Sequence, residues 1–177
     1  MKQYVIDFQA FKAPNSNEFI IKELALVGVD TNYVAHYYVK PPVSYYTLNP
    51  EFQNKIDYVT KHIHGIPWDY GDISFPDMLQ AIRAELGWAT EIYIRNKERA
   101  KEIKQLIKSS NWPIWGEPAI IDLDDVDGFE SMNIPPRRNN FNQCSLGTSQ
   151  HLTTRCSLEQ ATRYRDVLKN LLNCEEM

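Results

Sequence analysis

Two cysteines and one histidine near the C-terminal end have the residue types and the spacing of metal ligands. Cys144, His151 and Cys156 follow one another as Cys-x6-His-x4-Cys. Two thiolates and an imidazole supply three of the four ligands of a tetrahedral zinc site. The pattern predicts structural Zn²⁺, with a fourth ligand from elsewhere in the chain. The alternative is that both cysteines are small buried apolar residues and that His151 lies at the surface.

Clusters of charge form the second pattern that could do chemistry. Arginines gather around the same region, at Arg137, Arg138 and Arg155. They are candidate phosphate contacts of the kind that salt-sensitive RNA binding requires. The alternative is that they lie on solvated surfaces. An acidic run from Asp122 to Asp127 is typical of a strand end with capping carboxylates, and Asp122 is also a candidate catalytic acid.

Composition and length limit the class of protein. The 177 residues predict one domain over 1–177, and 43% hydrophobic residues are enough for a core. A net charge of −4 excludes a strongly basic nucleic-acid footprint over the whole chain. No apolar run predicts a membrane span and no secretory leader is recognisable. An odd count of three cysteines favours reduced thiols, so we expect a cytoplasmic or nuclear protein without membrane contact.

The elements that must position these residues follow from hydrophobic periodicity and turn signals. Strands are predicted over 4–8, 18–29, 33–39, 90–95 and 119–123. Helices are predicted over 50–62, 75–87, 97–109 and 157–173, a turn over 10–17 and a long loop over 127–154. Three strands joined by short turns, followed by alternating helices and strands, predict an α/β fold. We expect a mixed five-stranded sheet in which three antiparallel strands are followed by parallel strands, and helices that flank the sheet.

This element order resembles the RNase H-like fold of the DEDDh 3′–5′ exonucleases. Three segments carry the resemblance: Val5-Ile6-Asp7-Phe8-Gln9 on the first strand, His64-Gly65-Ile66 before a helix, and Cys156-Ser157-Leu158 at the last helix. It implies an active site in which four carboxylates hold two divalent metal ions and a histidine acts as general base.

The residues at the family's catalytic positions depart from that requirement. Asp7 keeps the first acid, but Gln9 stands at the second acid position and its amide adds no negative charge. Glu98 is the only acid near the third position, Cys156 falls at the histidine position and Ala161 at the last acid position. Asp7 and Gln9 are therefore vestigial catalytic residues, and binding of Mg²⁺ or Mn²⁺ is not expected.

The chain is also similar to the Maelstrom-type domain of the piRNA pathway, an RNase H-like domain with degraded exonuclease acids. That resemblance implies a zinc site with Glu, Cys, His and Cys ligands. The corresponding set here is Glu23, Cys144, His151 and Cys156. Zinc bound by this set would hold the long loop against the sheet.

These patterns lead to three hypotheses about function. The first is a catalytically degenerate, zinc-stabilised exonuclease-like domain that binds RNA or a protein partner, in a small-RNA or transposon-silencing pathway. The second is an active single-stranded RNA nuclease, either a weak exonuclease that uses Asp7 or a Maelstrom-like endonuclease. The third is an adaptor that binds only protein.

Overall fold

A computed structural model describes residues 2–14, 16, 18–109, 116–129 and 156–175 of the chain. The described strands form one five-stranded sheet: β1 (Lys2–Lys12), β2 (Phe19–Gly28), β3 (Val34–Tyr38), β4 (Ala89–Ile94) and β5 (Ala119–Asp122). Their order across the sheet is β3-β2-β1-β4-β5. β1, β2 and β3 pair antiparallel, whereas β4 and β5 continue from β1 in parallel. The predicted α/β class and mixed sheet are confirmed.

Four α-helices of the described chain pack around this sheet: α1 (Pro50–Val59), α2 (Phe75–Leu86), α3 (Lys97–Ser109) and α4 (Ser157–Glu175). Asn49 and Ser74 cap the first two through side-chain oxygens that accept from Phe52 N and Asp77 N. α1 continues as a π-turn over Thr60–His64 and ends at Gly65, whose φ is 70°. None of the described helices is both long and apolar enough to cross a membrane.

The central strand β1 separates two apolar clusters because successive side chains point to opposite faces. Tyr4, Ile6 and Phe8 pack with α2 and α3 on one face. Val5 packs with α4 on the other face, where Asp7 and Gln9 also belong by alternation. α4 therefore covers the face of β1 that carries Asp7 and Gln9.

The predicted turn over 10–17 starts too early, because β1 runs on to Lys12. A register shift between Gln9 and Ala10 bends the strand at this point. Phe11 is then buried against Phe52 and Trp68, in a separate apolar cluster that α1 completes. Burial of this aromatic side chain favours the longer strand despite the turn-forming residues that follow.

Lys22 is a fully buried cation in β2 that fastens the segment after α1 to the sheet. Its Nζ donates hydrogen bonds to three backbone carbonyls: Val39 O at 2.5 Å, Trp68 O at 2.7 Å and Tyr70 O at 2.6 Å. Burial lowers the pKa of Lys22 to about 8, although the charge of Asp69 opposes the shift. Without the Lys22 ammonium group, these three carbonyl oxygens would have little access to water as a hydrogen-bond donor.

Candidate binding cavity and metal cluster

A polar cavity of about 480 Å³ opens beside β1, at the carboxyl end of β4. In sheets with parallel strands, ligands commonly bind at the carboxyl ends of the strands. Side chains from β1, the start of α3, the segment after β5 and α4 line this cavity: Asp7, Gln9, Arg95, Asn96, Arg99, Asp124, Gln160 and Tyr164.

The floor of the polar cavity is an ion pair. Arg99 donates from Nη1 to Asp7 Oδ1 at 2.5 Å, and only 2% of the Asp7 side chain is exposed. The Arg99 side chain turns inward from α3, and its guanidinium also lies over the ring of Phe8 at 5.0 Å. A guanidinium therefore occupies the space beside the Asp7 carboxylate.

Burial raises the pKa of Asp7 to about 6. The Arg99 charge lowers the pKa and partly offsets this effect, the charge of Glu23 raises it, and the Ser157 hydroxyl lowers it. The folded state thus binds the Asp7 proton more tightly than the unfolded state does. Asp7 makes the free energy of unfolding fall as the pH rises from about 4 to about 6.

We therefore expect Asp7→Asn to stabilise the protein at pH 7.5, because the amide is neutral at every pH whereas the buried carboxylate is charged there. The gain in free energy of unfolding over the wild type should be smaller at pH 4.5, because Asp7 of the wild type is protonated there. Denaturant unfolding at the two pH values measures both effects. Asp127→Asn, on an exposed side chain, is the matched control. An Asp7→Asn protein that is less stable than the wild type at pH 7.5 and keeps the wild-type pH dependence would contradict the raised pKa of Asp7.

The polar cavity is lined by three amide side chains, whereas a two-metal site requires carboxylates. Gln9, Asn96 and Gln160 all line the polar cavity. Ala161, expected at the last acid position, instead packs in the apolar core against the sheet. The helix turns Gln160 rather than Ala161 toward the cavity. Glu98 is exposed, pairs with Lys12 at 3.1 Å and is not among the residues that line the cavity.

The start of α3 is held by a left-handed residue and a buried acid. Asn96 has φ 88°, which asparagine tolerates better than most residues, and its Oδ1 accepts from Glu98 N and Arg99 N. Asp122 Oδ1 in turn accepts from Asn96 N at 2.9 Å and from Asp124 N. The predicted capping role of the acidic run is confirmed, but Asp122 is buried and outside the cavity lining.

Arg95 forms the second cationic wall of the cavity. Its Nε donates to Asp124 Oδ1 at 2.8 Å. Its guanidinium carbon lies 6.0 Å from the Phe129 ring centroid and 5.8 Å from that of Tyr164. Two aromatic contacts and one ion pair fix the plane of this guanidinium at the cavity wall.

A candidate metal cluster lies on the neighbouring strands, in the residues Glu23, His36 and Cys156. One ligand atom from each lies within 4.8 Å of the other two, so the group could hold a metal ion. Glu23 is fully buried: its Oε1 lies 2.7 Å from His36 Nε2 and accepts from Cys156 Sγ at 3.5 Å. Its Oε2 accepts from Ser157 N at 3.1 Å, which joins the carboxylate to the start of α4.

The structure brings together two of the four predicted zinc ligands, Glu23 and Cys156. Cys144 and His151 lie outside the described residues, as do the three arginines proposed as phosphate contacts, Arg137, Arg138 and Arg155. His36 was missed because it looked like an ordinary strand residue. Glu23 pairs with Tyr38, and His36 lies two residues earlier on the same face, so the two side chains are diagonal neighbours. That contact depends on strand register, for which the sequence carries no local signal.

Fold and site together define an α/β protein with a cation-lined polar cavity and a buried carboxylate–imidazole–thiol cluster. The chain matches no protein-family model and no curated protein sequence. The relationship to RNase H-like exonucleases therefore remains a prediction from the sequence.

Proposed function

We propose that this chain is a catalytically degenerate exonuclease-like domain of RNase H-like type that binds single-stranded RNA through its polar cavity. A structural zinc ion at the Glu23 cluster is part of the proposal. A place in a small-RNA or transposon-silencing pathway remains a hypothesis that rests on the Maelstrom-type resemblance.

The observation that carries the proposal is the Arg99–Asp7 ion pair. Two-metal hydrolysis needs several carboxylates around a pair of divalent cations. Here the retained carboxylate is bound by Arg99 at 2.5 Å, and Gln9, Asn96 and Gln160 add no negative charge. A second arginine, Arg95, lies on the same wall. Asp124, the other acid of the lining, pairs with Arg95 at 2.8 Å, so the two arginines balance the negative charge that a pair of divalent cations would require.

The same side chains suit an RNA strand. Arginine guanidinium groups bind phosphate oxygens through several N–H donors in a fixed plane. The three amides offer both donors and acceptors to sugar and base groups. These features favour RNA over a protein partner at this site.

Zinc is supported by the chemistry of the Glu23 cluster. Thiolate, imidazole and carboxylate are the three ligand types that Zn²⁺ prefers. Bound there, zinc would supply structural cross-linking between β2, β3 and the start of α4. Cys144 and His151 are the other ligands predicted from the sequence. Together with the three residues of the Glu23 cluster they give five candidates for the four ligand positions of a tetrahedral zinc site. His36 and His151 are then the alternatives for a single imidazole ligand.

Binding of a labelled single-stranded RNA, measured by fluorescence anisotropy, tests the proposal. We expect micromolar or tighter affinity that weakens with salt. The double variant Asp7→Asn/Arg99→Gln removes both charges of the ion pair, so no unpaired charge stays buried, and should weaken binding at least tenfold. Lys101→Gln, an exposed change on the same helix, should have an effect below threefold.

The same RNA incubated with Mg²⁺ or Mn²⁺ should stay intact. Cleavage that is lost in Asp7→Ala would instead establish an active nuclease. Absence of RNA binding by the folded wild-type protein would refute the RNA proposal and leave a protein-binding adaptor.

A further inference from the structure

The two ion pairs in the lining of the polar cavity differ in their access to water. Asp7 is 2% exposed and pairs with Arg99. Asp124 is 31% exposed and pairs with Arg95, which is 37% exposed. Breaking a buried pair leaves an uncompensated charge away from water, whereas an exposed pair contributes little to stability and separates at small cost. An anion that enters the cavity can therefore displace Asp124 from Arg95, while the buried pair stays closed.

Arg95 is held at the cavity wall by more than its ion pair. The Asp124 carboxylate accepts from Nε at 2.8 Å, and no other acid of the described residues pairs with this guanidinium. The guanidinium also lies near the buried rings of Phe129 and Tyr164, which favour a cation at this position. Arg95 should therefore keep its orientation when Asp124 is displaced, with its terminal amino groups available to a ligand.

Asp124 opposes the binding of a phosphate group in two ways. Its carboxylate lines the cavity and repels an anion there, and it occupies one N–H donor of Arg95. Phosphate is the stronger competitor, because its oxygens accept from two guanidinium donors at once whereas Asp124 accepts from one. An RNA phosphate can therefore take the place of the carboxylate, but the exchange uses part of the binding free energy.

We infer that Arg95 is the phosphate-binding residue of the polar cavity and that Asp124 is its resting counter-ion, which an RNA phosphate displaces. This inference rests on the proposed RNA binding and assigns roles to two residues of that site. Asp124 acts on the ligand through Arg95 and holds the affinity for RNA below the value that the unpaired arginine would give. Arg99 remains paired with Asp7 when RNA binds.

A gain of binding tests the inference, because loss of a merely structural contact would not produce one. Asp124→Asn keeps an oxygen acceptor for Arg95 Nε but removes the charge. We expect it to bind the labelled single-stranded RNA about fivefold more tightly than the wild type, or better, in fluorescence anisotropy. Asp124→Glu restores the carboxylate and should abolish the gain.

Two further variants separate the role of Arg95 from the net charge of the protein. Asp125→Asn makes the same charge change one residue away, in an exposed pair with Lys97 outside the cavity lining. Its affinity for RNA should stay within about twofold of the wild type. Arg95→Gln combined with Asp124→Asn should bind RNA about tenfold more weakly than Asp124→Asn alone.

The outcomes distinguish this inference from the proposed function. RNA binding by the wild type with no gain in Asp124→Asn, or with an equal gain in Asp125→Asn, would overturn the inference and leave RNA binding intact. Weaker binding by folded Asp124→Asn would also overturn it, since Asp124 would then orient Arg95 for the ligand. A gain that survives Arg95→Gln would exclude Arg95 as the phosphate-binding residue. Failure of the wild type and Asp124→Asn alike to bind RNA would refute the proposed function itself.

Discussion

Cys156→Ser is expected to reduce the zinc content of the purified protein from about one ion per chain to nearly none. A serine hydroxyl stays protonated at neutral pH and is a poor zinc ligand, whereas thiolate is a strong one. Cys156 lies at the start of α4 and contacts Glu23 of β2, so loss of the ion removes a link between helix and sheet. Elemental analysis after dialysis measures the change.

The same variant should be less stable than the wild type by about 4 kcal/mol when free zinc is about a thousandfold above its dissociation constant. Urea unfolding with and without a chelator measures this difference, and chelator should destabilise the wild type but not the variant. Cys174→Ser makes the same chemical change at a cysteine that is not among the predicted zinc ligands and is the control. A wild-type protein purified without zinc, or a Cys156→Ser protein that keeps it, would contradict the metal assignment.

Two histidine variants then identify the imidazole ligand. His36→Ala should abolish zinc binding if the structural neighbour of Glu23 is the ligand. His151→Ala should do so if the ligand is the histidine that the sequence pattern favours.

Lys22→Met is expected to lower the free energy of unfolding by about 3–5 kcal/mol. Methionine matches the length of the side chain but cannot donate, so the carbonyls of Val39, Trp68 and Tyr70 lose a shared donor. Each buried acceptor left unsatisfied costs about 1–3 kcal/mol. Urea unfolding measures the loss, and Lys61→Met, on an exposed side chain, controls for the removal of a lysine charge.

The loss of stability in Lys22→Met should be largest around residues 65–73, because Lys22 binds that segment to the sheet. Amide hydrogen exchange can locate it. A Lys22→Met protein within 1 kcal/mol of the wild type would show that water or a rearranged backbone replaces the three hydrogen bonds.

The sheet could be predicted from the sequence because each strand carries its own signal. Val, Ile and Tyr in short runs, with turn residues between them, indicate all five strands. The end of β1 was placed too early, since Pro14 and its polar neighbours indicate a turn. The burial of Phe11 against Phe52 and Trp68, which extends the strand, depends on residues far along the chain.

The sites could be predicted only in part, because their contacts join distant elements. Asp7, Gln9 and Cys156 belong to local motifs and were recognised, whereas Glu23 was named only because the Maelstrom-type resemblance implies a glutamate ligand on that strand. Arg99 was not, since its inward direction depends on how α3 is rotated against β1. The turn of α4 that places Gln160 rather than Ala161 in the cavity has the same origin. The spacing of residues in the sequence does not indicate how α3 or α4 is rotated against the sheet.

The two-sided packing of β1 has a consequence for folding. Asp7 and Gln9 alternate with Tyr4, Ile6 and Phe8, and both faces of the strand are covered by helices. A slip of one residue against β2 would press the carboxylate into the apolar layer under α2 and α3 and turn the aromatic rings toward the cavity. Misaligned pairings of this strand are therefore heavily penalised, and the polar residues Asp7 and Gln9 help to enforce a unique alignment of the sheet.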